Sequence, residues 1–376
     1  MITLRSGLGT LKNAGTEFVK STSDKAVRTI TLDRPAARNA INAAMTSTMT
    51  EAITRFARDA NAYAVVLRSQ TPGMFCAGGD VREMAHLASS APGEAERSLA
   101  AEYELVWLLE CFSKPVVSLI DGPVMGAGAG MTLVNTHRVA GKNYAFAMPE
   151  VRLGFFPDDG VASELGRMPS EIGVYLGLTG RSIGRADAYA LGLVTHCTDA
   201  SHFDQIERSL ADAEPVDTLL DGLHEPPGPG QLAAFQEQIA GCFSGASVTE
   251  IAAKLAALRD RAAQPTDVAW AQDVLDDLGC ASPQALAIAL RHIRDAASMD
   301  LRQTLMLDYR AGRRLIGSYN FQEGVRALLI DKNRKPVWRP TRAHDITDTQ
   351  TAAFFHADPL HEMTLPTRSE MQASRV

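Results

Sequence analysis

The sequence predicts an α/β fold followed by a mainly helical C-terminal region, and three observations carry that expectation. Over about the first 200 residues the apolar pattern alternates between a period of two and a period of 3.6, as strands feeding helices do. Two small-residue stretches, "AGG" at 77–79 and "GAGAG" at 126–130, each stand between a strand-like run and a helix-like one. Beyond the Pro- and Gly-rich "HEPPGPGQ" at 224–231, nearly every segment has helical spacing.

The elements follow in order. "AVRTITL" (26–32) alternates apolar and polar residues as a half-buried strand does, whereas "AYAVVLRS" (62–69) and "KPVVSLI" (114–120) are short β-branched runs of the buried kind. Between them, the helix over 42–59 places Met45, Met49, Ile53 and Phe56 on one face. Val81, Met84 and Leu87 recur at helical spacing behind the first glycine loop, and 99–112 gathers Leu105, Leu108, Leu109 and Phe112. In the second half, Ser247 with Glu250 forms a capping box and Ser282 followed by Pro283 opens another helix. Leu305, Leu307 and Tyr309 read as core. From about Thr341 the chain turns polar, predicting a loosely held tail with one short helix near "TQTAAFFH". The division expected is 1–223, 224–340 and 341–376.

Composition bounds the partners. With 376 residues, 45% of them hydrophobic, a sizeable core is available, and a formal net charge of -7 argues against a nucleic-acid-binding surface. The five cysteines are odd in number, widely spaced and free of any C-x-x-C pair, so neither a disulfide framework nor a zinc site is expected. The nine histidines show no metal-binding spacing. No secretory signal pattern opens the chain and no apolar run approaches eighteen residues, which predicts a soluble cytoplasmic protein without a membrane span.

Each glycine loop follows a strand and precedes a helix, so small side chains let a ligand approach bare backbone N–H groups. Two such donors aimed at one point would form an oxyanion hole. Taken alone, either loop is as readily explained by close helix–sheet packing.

Four stretches, "MFCAGGDVREM", "DGPVMGAGAGM", "AMPEVRLGFFPDDG" and "LTGRSIGRADAYALGLVTH", together resemble the crotonase (enoyl-CoA hydratase/isomerase) superfamily over about residues 17–200. "FCAGGDVR" and the Pro-Asp of "FFPDDG" resemble its 3-hydroxyisobutyryl-CoA hydrolase branch, as do "ASPQALAIALRHI", "LRQTLMLDYRAGRRLI" and "NFQEGVRALLIDKNRKPVWRP" further on. The resemblance implies a crotonase-like fold of repeated ββα units in stacked sheets, with a helical C-terminal region packed on the core. It implies hydrolysis of a short 3-hydroxyacyl-CoA thioester in valine breakdown. Acyl-CoA would be the partner, with CoA part of the substrate and no separate cofactor, and a homo-oligomer is open.

Position by position, the resemblance makes Gly79 and Ala127 the oxyanion donors and Glu150 and Asp158 the acid–base pair. Glu102, Ala77 and Arg38 become further substrate contacts, with Arg34 beside Arg38 in the stretch corresponding to the CoA-binding loop. A hydratase of this superfamily carries a glutamate where this chain has Gly130, which disfavours water addition across a double bond. Two other readings stay open: a hydratase or isomerase using Glu150 alone, and a non-catalytic acyl-CoA-binding protein. After Asp158 this chain has Asp159, Gly160 and Val161 where the branch continues with an apolar residue and several glycines, so the turn beside the acyl group is more charged.

Overall fold

The computed structural model describes residues 17–374. Nine strands fall in chain order as β1 (Val19–Asp24), β2 (Val27–Leu32), β3 (Ala64–Ser69), β4 (Val116–Ile120), β5 (Pro123–Met125), β6 (His137–Ala140), β7 (Ala145–Ala147), β8 (Ile183–Gly184) and β9 (His196–Cys197). They form a six-stranded sheet of order β1-β2-β3-β4-β6-β9 and a three-stranded sheet of order β5-β7-β8. In the larger sheet β1 and β2 are an antiparallel pair and every other pairing is parallel.

The three expected strands are found within two residues of their predicted starts, but β1 is an addition. Only Val19 of "VKSTSD" is buried, so the segment carries no period-two signal. Strand β2 differs from a half-buried strand, because its polar residues Arg28 and Thr29 are buried as well. Arg28 is paired with Asp59 on one face, and on the other Thr29 donates to Glu207, where Phe203, Ile206, Leu210 and Leu220 cover the sheet.

Helix α1 (Ala43–Arg58) starts where the Asn42 side chain accepts the Met45 N–H, and it buries Met45, Met49, Ile53 and Phe56. Helix α2 (Val81–Ser90) is capped by Asp80, which accepts the Glu83 N–H. Helix α3 runs from Pro92 to Cys111 and starts about two turns earlier than the apolar pattern suggested, since its first turns are polar. Helix α4 (Ala127–Leu133) begins inside the second glycine stretch, so that Ala127 to Gly130 form its first turn instead of a loop before it, and α5 (Val161–Arg167) and α6 (Ile172–Thr179) follow the acid-bearing turn.

The C-terminal helices, including Val248–Arg261, Pro283–Ala296 and Leu301–Ile316, join the same apolar core as the α/β half. Ser247 accepts the Glu250 N–H as expected, while the Glu250 carboxylate reaches back to Ala246 N. The Pro/Gly stretch is tethered by buried Asp187, whose carboxylate accepts the N–H groups of Gln231 and Leu232.

The stretch after Thr341 is not loosely held. It contains the expected short helix (Asp348–Ala353) and then buries Phe355, Met363, Leu365 and Met371. Trp107 on α3 donates to Pro366 O at 2.8 Å, and Arg302, Arg310, Arg313 and Arg314 of one helix all bond residues 354–365. Widely spaced apolar anchors in a polar background explain why composition alone pointed the other way. No helix among the described residues is long and apolar enough to cross a membrane.

Candidate active site

The two glycine loops meet. Cys76 lies bridged to Val124 and Met125 N–H donates to Cys76 O at 3.1 Å, so the loops run side by side. Gly126 is at φ +45°, a conformation that favours glycine, and a Cβ built on it would lie 3.4 Å from Gly78 Cα and 4.0 Å from Gly79 N. Gly79 and Ala127 are therefore brought together.

Both of their N–H groups face away from other backbone. Ile41 N–H donates to Gly78 O and Asp80 N–H to Ile41 O, as in a parallel ladder, which turns the Gly79 N–H to the opposite edge. Ala127 is the first residue of α4, whose opening N–H groups have no carbonyl within the helix. Its right-handed helical backbone accepts the Cβ, so alanine in place of glycine leaves the donor intact.

The acids gather against this point. Glu150 opens a short 3₁₀ turn (Glu150–Leu153), is buried, and places Oε1 3.0 Å from where a Gly126 Cβ would be. Its Oε2 has no hydrogen-bond partner among the described residues. Burial pushes the Glu150 carboxyl up to about 8. On α3, Glu102 sets Oε1 3.3 Å from a Cβ built on Gly79, and burial pushes its carboxyl up to about 7.

Asp158 is buried and accepts the Tyr103 O–H at 2.6 Å. Burial, then the negative charges of Asp308, Glu150 and Glu102, drive it well above the usual carboxylate range. The neighbouring Asp159 is buried too, with its side chain against Gly130 of α4. Asp308 on the Leu301–Ile316 helix accepts the Gly160 N–H at 2.7 Å and pairs with buried His292 at 2.5 Å, fixing the turn that carries both acids.

Of the remaining predicted contacts, Ala77 lies in the first loop and its N–H donates to Arg38 O at 3.1 Å. The Arg38 side chain is exposed beside it, available to a phosphate. Arg34 is not: its guanidinium is held by Asp80 at 2.7 Å and by Ala40 O, so it braces the loop. Tyr103, His292 and Asp308 were missed. A histidine on the apolar stripe of "ALAIALRHI" demands a buried partner, and that was the readable signal.

A cavity of about 740 Å³ lies between α1, α3 and residues 365–371, lined by Thr50, Arg97, Glu104 and Trp107 and by none of the site acids. Among the described residues no group of three or more His, Cys, Asp or Glu side chains is placed to hold a metal ion.

The enoyl-CoA hydratase/isomerase family model matches residues 27–355. The 3-hydroxyisobutyryl-CoA hydrolase of Xenopus tropicalis, named as mitochondrial, is 33% identical over 336 residues, covering 87% of this chain and 85% of that one. 3-Hydroxyisobutyryl-CoA hydrolase 1 of Arabidopsis thaliana is 33% identical over 92% of this chain and 94% of its own. Among solved structures, a carnitinyl-CoA dehydratase from Mycobacterium thermoresistibile superposes with a TM-score of 0.85 at 33% identity, covering 93% of this chain and 98% of that one. With a shared fold, most of its length matched and relatives above 30% identity, the chain belongs to the enoyl-CoA hydratase/isomerase family.

Proposed function

We propose that the protein hydrolyses the thioester of a short 3-hydroxyacyl-CoA, of the 3-hydroxyisobutyryl-CoA kind, to the free acid and CoA. The observation that carries this reading is the convergence of two unpaired N–H donors, Gly79 and Ala127, with the buried carboxyls of Glu150 and Asp158. The thioester oxygen accepts from both N–H groups, which stabilise the charge that develops on it. Glu150 acts as base toward water or as nucleophile toward the carbonyl carbon, and Asp158 protonates the departing thiolate. Tyr103 positions Asp158. The exposed Arg38 guanidinium is the proposed contact to the CoA phosphates.

Acyl-CoA is the one partner named. A place in valine breakdown belongs to the same proposal and comes from the sequence resemblance to the 3-hydroxyisobutyryl-CoA hydrolase branch. The cytoplasmic placement expected from the sequence is likewise part of the proposal, and against it stands the word mitochondrial in the Xenopus name.

The test is a panel of short acyl-CoA and enoyl-CoA thioesters, following free thiol beside enoyl absorbance. Thiol release from 3-hydroxyacyl-CoA without an enoyl signal is the expected result. A changing enoyl absorbance without thiol would replace the proposal by hydration or isomerisation at Glu150, and binding without either signal by a non-catalytic role.

A further inference from the structure

Asp159 is a costly residue at its position. It sits at φ +55°, where glycine is at ease and aspartate is tolerated, and it is 2% exposed. Its Oδ1 has no hydrogen-bond partner among the described residues. Room for it is made by Gly130, since a Cβ at 130 would fall 2.4 Å from Asp159 Cβ and 3.3 Å from its Cγ. An unpaired, buried carboxyl oxygen is a standing cost that a ligand donor would remove.

Its place relative to the donors defines that ligand. Gly130 lies three residues beyond Ala127, so on α4 it is almost one turn, about 4.5 Å, deeper on the same face. An acyl chain whose carbonyl oxygen accepts from the Ala127 N–H and whose tail runs along α4 toward Gly130 would bring its third carbon toward Asp159.

We propose that Asp159 is a specificity residue whose carboxyl group, seated over Gly130, hydrogen-bonds a hydroxyl on the third carbon of the acyl chain. The inference rests on the hydrolase reading above and adds which residue selects the acyl group. Burial, then the charges of Asp158, Glu102, Asp308 and Glu150, pushes the carboxyl well above the usual carboxylate range, toward its neutral form. A neutral acid both donates and accepts, as a hydroxyl does.

The experiment compares kcat/KM for 3-hydroxypropionyl-CoA and propionyl-CoA, read as thiol release, in the natural protein, Asp159→Gly and Asp159→Asn. Glycine removes the carboxyl and relaxes the backbone, while asparagine keeps a donor and an acceptor. One hydrogen bond corresponds to about a tenfold preference for the hydroxylated substrate. That preference should collapse to about twofold or less in Asp159→Gly and persist in Asp159→Asn. A merely structural residue would lower both substrates together and leave the ratio alone, so an unchanged ratio in Asp159→Gly overturns the proposal, as does its collapse in Asp159→Asn. Should the glycine variant fail to fold, Asp159→Ala, which keeps only the Cβ already accommodated, reads the same ratio. Absence of thiol release from both substrates in the natural protein would defeat the hydrolase reading and this inference with it, whereas release with an unmoved ratio defeats this inference alone.

Discussion

The site has two sides built in different ways. On the donor side, residues 76–80 and 122–130 present backbone N–H groups, and what matters is the absence of side chains in two loops that pack on each other. On the acid side, Asp158 depends on Tyr103, 55 positions away, and the turn that bears it depends on Asp308, 148 positions from Gly160. The donor side is thus a local property of the chain, while the acid side is assembled from α3 and the C-terminal helices. The helical region that simpler packing would treat as an appendage supplies the brace for the turn that carries Asp158.

The sharpest probe of the comparison is removal of charge on the acid side. Glu150→Gln and Asp158→Asn should each lower thiol release by about a hundredfold or more, the order for losing a general acid or base. Thiol release in the natural protein should rise with pH through about 8, because Glu150 must give up its proton to act, and that limb should vanish in Glu150→Gln. On the donor side, Gly79→Val forces a side chain against the Glu102 carboxylate, whose Oε1 lies 3.3 Å from the new Cβ. A displacement of about 1 Å costs on the order of a hundredfold, so turnover should fall by that much with little change in melting temperature. The two sides should separate in the pH profile, which loses its rising limb in Glu150→Gln and keeps it in Gly79→Val; a Gly79→Val protein with near-normal turnover would abolish the donor side altogether.

Tyr103→Phe tests whether the acid side is positioned from afar. Loss of the 2.6 Å bond should reduce turnover by about tenfold, the worth of one buried hydrogen bond. That bond favours the ionised form of Asp158, so its removal moves the Asp158 proton loss to higher pH, and the falling limb of the rate profile should shift upward. An unshifted limb would mean that Tyr103 merely fills space. The smallest effect is expected for Asp80→Asn, which keeps the α2 cap and loses only the partly exposed pair with Arg34. Chemical denaturation should register about 1 kcal/mol or less.

Legibility in the sequence followed the same division. Strands β2, β3 and β4, helix α1 and both glycine loops could be read because each is specified within its own span by period, cap or small residues. Glu150 and Asp158 were found only through ordered likeness to a family, since an acid in a turn has no local signature of catalysis. Tyr103, His292 and Asp308 escaped because each lies on a helical face dominated by apolar neighbours, where periodicity reports burial but not the partner. The tail escaped for the opposite reason, four isolated anchors, Phe355, Met363, Leu365 and Met371, being too sparse to form a pattern.

The acid-rich interior makes folding a proton-uptake reaction. In the unfolded chain Glu102 and Glu150 would release their protons near 4.5, whereas in the folded protein they hold them to about 7 and about 8. Between those limits the native state carries more protons than the unfolded one, so stability declines as pH rises. Their contribution is complete below about 4.5 and is spent by the time both have ionised in the native state. The melting temperature should therefore fall between pH 5 and pH 8, and less steeply in Glu150→Gln. The pH range that ionises Glu150 is the range in which buried charge favours the fold least, so a working pH for this enzyme is a compromise between an ionised Glu150 and a fold that prefers it protonated.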